Sequence, residues 1–236
     1  MEQSGTPTRL SVAVQDLASD VVSALRGGDP FRLSGKVTAH DTTEAAGDPA
    51  LAAVRVLGAD ALLPVVLGRA PADPEDLAAF DRAVRAYPPP ADASPTSLWS
   101  HWAMRQTLIR LDASFDGVPA DHAEPAGTWL DDAPWQVLTH QLAVLAPLAV
   151  PAGDCAVARA ARRRPVDVAR GFVRAVRRRD WLQAAGAGRW LALLDGVPPT
   201  LGLENGLDFV AQMGHGDARV ALQVRAARLM RTGAPV

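Results

Sequence analysis

Cys155 is the only cysteine in this sequence, which excludes an intramolecular disulfide and a zinc cage built from cysteines. A reducing compartment suits that usage. Lys36 is the only lysine among 24 basic residues, and Ile109 and Tyr87 are likewise single. With the surplus of alanine and arginine, this is the composition of a GC-rich coding sequence. The number of arginines is therefore partly background, and their clustering is the better signal.

Long apolar runs are missing too. No segment approaches the roughly 20 apolar residues that cross a bilayer, and the longest, Leu138 to Val150, is interrupted by His140, Gln141 and Pro147 and reads as a buried helix. The first ten residues, MEQSGTPTRL, have no cationic stretch leading into an apolar one. Together these absences predict a soluble, cytoplasmic protein with no membrane contact.

Catalytic signatures are absent as well. The chain has no Gly-x-Ser-x-Gly elbow, no phosphate-binding loop and no dinucleotide fingerprint, and Gly186-Ala187-Gly188 follows no strand. Of the five histidines, none pairs with another at i+4 on a helix, so neither a metal nor another cofactor is expected. His40-Asp41 and His122, with Asp121 and Glu124 nearby, are polar loop positions for which surface histidine is the default reading. Asp131-Asp132 lacks the third carboxylate that a magnesium–diphosphate cluster needs.

What is present is enough apolar residue to fold. At 48% hydrophobic and a net charge of −2, 236 residues can bury one large core or two small ones, while nineteen prolines predict many interruptions. Helical periodicity dominates. Val14, Leu17, Val21 and Leu25 mark a first amphipathic helix ending at Gly27-Gly28. Asp48-Pro49 and Asp73-Pro74 are two start signals of the same kind, an acidic N-cap followed by proline in the first turn. The stretch from Phe31 to Thr38 alternates only loosely and is taken as loop. Further helices are expected over Ser97 to Asp112 and from Asp131-Asp132 through Leu145, where the acidic pair would face the helix dipole. Others are expected from Pro165, from Asp180 with Gln183 in the capping-box position, over Leu203 to Met213, and over Asp217 to Arg231. No fixed-period repeat is present. The predicted fold is all-α, an irregular multi-helix bundle or stacked helical hairpins with long Pro/Gly-rich loops.

Charge is distributed unevenly along that fold. Residues 1–150 carry 10 basic against 19 acidic side chains, and residues 151–236 carry 14 against 7. This predicts an acidic helical region and a basic helical bundle region meeting near Pro151-Ala152-Gly153, either as two units or as one continuous domain. Nine arginines fall between Arg159 and Arg179. On the helix from Pro165, Ala169, Phe172, Val173 and Val176 are placed inward, and Arg170, Arg174, Arg177 and Arg178 form the outer stripe.

That stripe is the leading functional candidate, because guanidinium groups grip carboxylates and phosphates bidentately. The competing reading is a solvated face, or one paired with the acidic half. The expected function is a non-catalytic accessory protein binding an acidic protein or other anionic partner, with homo-oligomers through the opposed charges as a further possibility. Two alternatives stand beside it. A small-molecule enzyme would use a tryptophan-lined pocket holding His101, Arg105 and His140. A DNA-binding regulator would use the helix–turn–helix outline of residues 203–231, with Arg219, Gln223 and Arg225 or Arg228 exposed. Cys155 near arginines would be reactive; buried, it would be inert.

Overall fold

The computed structural model describes residues 8–27, 32–37, 48–111 and 123–233, and every regular element among them is helical. The α-helices are α1 (Arg9–Leu25), α2 (Pro49–Leu57), α3 (Leu63–Val66), α4 (Pro74–Ala86), α5 (Pro95–Leu111) and α6 (Trp135–Val144), then α7 (Ala156–Arg163), α8 (Pro165–Arg177), α9 (Trp181–Leu191), α10 (Leu203–Met213) and α11 (Ala218–Arg231). The acidic start signals work as caps. Carboxylates of Asp48, Asp73, Asp180 and Asp217 accept from the backbone N–H of Ala50, Glu75, Gln183 and Arg219 at 2.8, 2.9, 3.2 and 2.9 Å. Each such cap contributes about 1 kcal/mol.

Several local expectations change. Helix α6 begins at Trp135, after Pro134 in extended conformation, so Asp131 and Asp132 lie outside it, and Asp131 instead pairs with Arg163. Helix α7 emerges as a separate element, capped by the Cys155 sulfur accepting from the Ala158 N–H at 3.5 Å. Residues 32–37 form turns with Leu33 and Val37 buried, while Phe31 and Thr38 lie outside the described residues. The 18-residue segment Pro49–Val66, with mean hydropathy 1.6, is long and apolar enough to suit a bilayer, but 67% of it is buried inside the protein. Split between α2, a 3-10 turn at Gly58–Leu62 and α3, it is a core segment.

Helix α9 is the axis of the fold. Residues 184 to 191 are all buried, and α6, α8, α10 and α11 pack around them. Small side chains make this possible. A Cβ on Gly186 would meet the Ala143 carbonyl oxygen at 2.7 Å, and one on Gly171 of α8 would overlap Thr139 of α6 at 2.0 Å. Trp190 fixes the register by donating its indole N–H to the Leu142 carbonyl at 2.6 Å. A second apolar cluster joins α1, α2, α4 and part of α5, and α11 closes it with Leu222, Ala226, Leu229 and Met230. Its other side, Val220, Val224 and Ala227, belongs to the cluster around α9.

Where these clusters meet, three polar side chains are buried together. Asp60 is 1% exposed, Arg189 0% and Gln223 8%. Arg189 Nη1 donates to Asp60 Oδ1 at 2.7 Å and to Gln223 Oε1 at 2.9 Å, and Gln223 Nε2 donates to Asp60 Oδ2 at 2.6 Å. Arg189 Nε reaches the Ala149 carbonyl at 3.0 Å. A buried guanidinium is tolerated only with such partners.

Candidate functional site

The fold sorts the nine clustered arginines into two groups. On and just after α7, Arg159 pairs with Glu124 at 3.1 Å and Asp154 at 3.2 Å, Arg162 with Asp154 at 3.2 Å, and Arg163 with Asp131. Arg164 pairs with Asp167 at 2.8 Å and also donates to the Ala133 carbonyl at 2.7 Å. Arg159, Arg163 and Arg164 hold α7 to residues 124–133 and to the start of α8, while Arg162 ties it to the turn just before it. Arg170 shares Asp167 at 3.3 Å but remains 63% exposed.

The second group faces solvent. Arg174 lies over the Trp135 ring at 5.7 Å, a cation–π distance. Arg177, Arg178 and Arg179 are exposed and make no ion pair with the acidic residues among the described positions. Arg179 holds a left-handed backbone at φ 59°, where glycine is favoured. Val173 also points outward at 37% exposure, against the inward placement expected for it. The helical spacing explains this: it stands three residues after Arg170 and four before Arg177, on the arginine face.

A shallow groove of about 540 Å³ runs along that face, bounded by Arg170, Arg174 and Arg177. Its apolar surface comes from Trp135, Val166 and Val173 on one side and from Pro198 and Leu201 on the other. The site is thus a row of guanidinium groups beside apolar surface, a combination suited to a chain that offers carboxylates and hydrophobic side chains together.

The other sequence candidates are dispersed. His101 is half-buried on α5, its Nδ1 buried without a hydrogen-bond partner. Burial, then the neighbouring Arg55 and Arg105, push its pKa below the ordinary value. Arg55 itself donates to the Tyr87 carbonyl at 3.3 Å and the Ser100 hydroxyl at 3.1 Å. His140 is exposed on α6, with Nδ1 at 3.4 Å from Gln183 Oε1, and lines two concavities that neither His101 nor Arg105 lines. His40 and His122 lie outside the described residues. Among the described residues no cluster of His, Cys, Asp and Glu has metal-binding geometry. Cys155 is buried, and that burial pushes its thiol pKa up, the opposite of an activated thiolate.

Helix α11 is a core element on both its sides. Gln223 is in the buried network. Arg219 pairs with Asp217 at 2.7 Å, Arg225 donates to the Leu25 carbonyl at 2.9 Å, and Arg228 pairs with Asp208.

Sequence reasoning missed the Asp60–Arg189–Gln223 network. Its one local trace is a lone charge within each of two apolar stretches, Asp60 before Ala61-Leu62-Leu63 and Arg189 before Trp190-Leu191. No family model, curated protein or solved structure matches the chain.

Proposed function

We propose that this chain is a non-catalytic helical binding protein whose α8 face receives an acidic, amphipathic segment of a partner protein. One observation carries this reading: α7 and the start of α8 use their arginines in intramolecular ion pairs, whereas Arg174, Arg177, Arg178 and Arg179 remain outside any ion pair among the described residues, and Arg174 and Arg177 border an apolar groove. A solvated face needs no apolar groove, and an internally neutralised one would spend these arginines as α7 does. The apolar floor favours a protein segment over a bare inorganic anion, since Val166 and Val173 offer an anion nothing.

The test uses a labelled helical peptide of alternating Glu and Leu turns, titrated by fluorescence anisotropy, with its Lys-for-Glu counterpart and a DNA duplex as controls. Arg177→Glu with Arg178→Glu is expected to weaken peptide binding by at least about tenfold, two exposed charge contacts at roughly 1 kcal/mol each, with the thermal midpoint unchanged. Affinity should also fall with added salt. Undiminished binding by the double variant would overturn the assignment, and preference for the duplex would move it to nucleic acid.

A further inference from the structure

A second concavity lies between α2, α6, α9 and α11, about 300 Å³ in volume, at the lower end of the range that holds a small organic molecule. Leu57, Ala143, Leu182 and Leu222, one from each helix, give it apolar walls. Val56 of α2 and Val144 of α6 also line it while standing 52% and 51% exposed. These are the two most exposed large hydrophobic side chains in the described structure, and both belong to this one cleft.

Its lining also includes Asp60 and Gln223, the buried side chains that hold Arg189. Their hydrogen bonds leave capacity over. Each Asp60 oxygen accepts once, from Arg189 Nη1 and from Gln223 Nε2, and a carboxylate oxygen can accept twice. Gln223 Nε2 has two hydrogens and uses one on Asp60. The cleft therefore borders an unfilled acceptor next to an unused donor. At the buried end charge is balanced, Asp60 by Arg189; the only arginine in the lining, Arg219, is held by Asp217, and the remaining acid, Asp180, is engaged as the α9 cap by the Gln183 N–H. A charged ligand would bring an uncompensated charge against the buried pair. A hydroxyl group is the small neutral group that donates to a carboxylate and accepts from an amide N–H with a single atom.

From this we infer that the cleft binds a small, largely apolar alcohol, its hydroxyl set between Asp60 and Gln223 and its hydrocarbon body against Leu57, Leu182 and Leu222. The cleft adjoins the arginine face, since His140, Asp180 and Gln183 also line the concavity that holds Arg174 and Arg178, but none of the residues assigned to the alcohol lies on α8.

The full-length protein is titrated by calorimetry with 4-butylbenzyl alcohol and with its methyl ether, which keeps the apolar body but removes the donated hydrogen. Val56→Trp and Val144→Trp each place an indole at the mouth from an exposed position, where neither should disturb folding. Saturable binding of the alcohol, weaker by at least about tenfold for the ether and lost in the folded Trp variants, is the expected result. Equal affinity for alcohol and ether, retention of binding in both Trp variants, or no saturable binding of the alcohol would each overturn the inference. The Arg177→Glu, Arg178→Glu protein should bind the alcohol as the wild type does, so failure here and failure of the α8 reading are read separately.

Discussion

His101 and Arg189 show two fates for a nitrogen base withdrawn from water. Arg189 is fully enclosed and donates through Nη1 and Nε to Asp60, Gln223 and the Ala149 carbonyl, with only Nη2 left buried and unpartnered. His101 has no acidic neighbour in the same role, and its buried Nδ1 is unpartnered beside Arg55 and Arg105. Burial and those cations favour its neutral form, so its folded pKa lies below 6.5. The sign follows from proton counting. Below about pH 6.5 the unfolded chain binds a proton at this position that the folded chain refuses, so stability from His101 is complete above that pH and falls as pH drops toward the folded value. Urea midpoints compared between wild type and His101→Gln from about pH 7.5 to about pH 5 should show the wild type losing stability more steeply. Parallel slopes would remove His101 from the acid response. Nothing in the local sequence announces this behaviour, because Arg55 lies 46 residues away in the chain.

At the scale of elements, local chemistry was the readable part. Asp48, Asp73, Asp180 and Asp217 are caps that a helix needs regardless of its surroundings, so their helices were evident from neighbouring residues alone. Helix α7 was not, because Arg162, Arg163 and Arg164 present a charge run whose partners, Asp154, Asp131 and Asp167, are assembled by the fold. The same limit applied to the arginine face: which arginines are exposed was legible on α8, but which were left unpaired was not. Gly186 was legible in part, since a helix carries an interior glycine at a cost of about 1 kcal/mol and a close crossing is the usual reason. Gly186→Ala tests that reason. The new methyl meets a backbone carbonyl at 2.7 Å, which cannot turn aside as a side chain can. A loss of about 1–3 kcal/mol is expected by urea denaturation, despite alanine's higher helix propensity. A gain would mean that α6 and α9 separate freely.

The whole molecule is held together by elements from both ends of the chain. Arg189 reaches Asp60 across 129 residues, Gln223 reaches Asp60 across 163, and Gln15 of α1 donates to Asp217 at 2.9 Å across 202. Helix α11 lies between the two apolar clusters and supplies four buried side chains to the one built mainly from the first 108 residues. Residues 1–150 produced without the rest would expose that surface and leave Asp60 without its cation. Neither 1–150 nor 151–236 alone is expected to unfold cooperatively in urea, whereas the full chain should; a sharp transition for either piece would show a self-sufficient unit. The charge asymmetry is partly consumed in the same way, with Arg159, Arg163 and Arg189 each set against a carboxylate of the acidic stretch. The Asp60–Arg189–Gln223 network also has a consequence for descent. Codons 60, 189 and 223 are tied to one buried arrangement, and a lineage that changes one of them inherits a core with a stranded charge or a lost hydrogen-bond partner until the others follow. Positions 60, 189 and 223 are therefore the ones to trace together in any relative of this chain, as a mark of shared architecture that outlasts the drift of its arginine-rich surface.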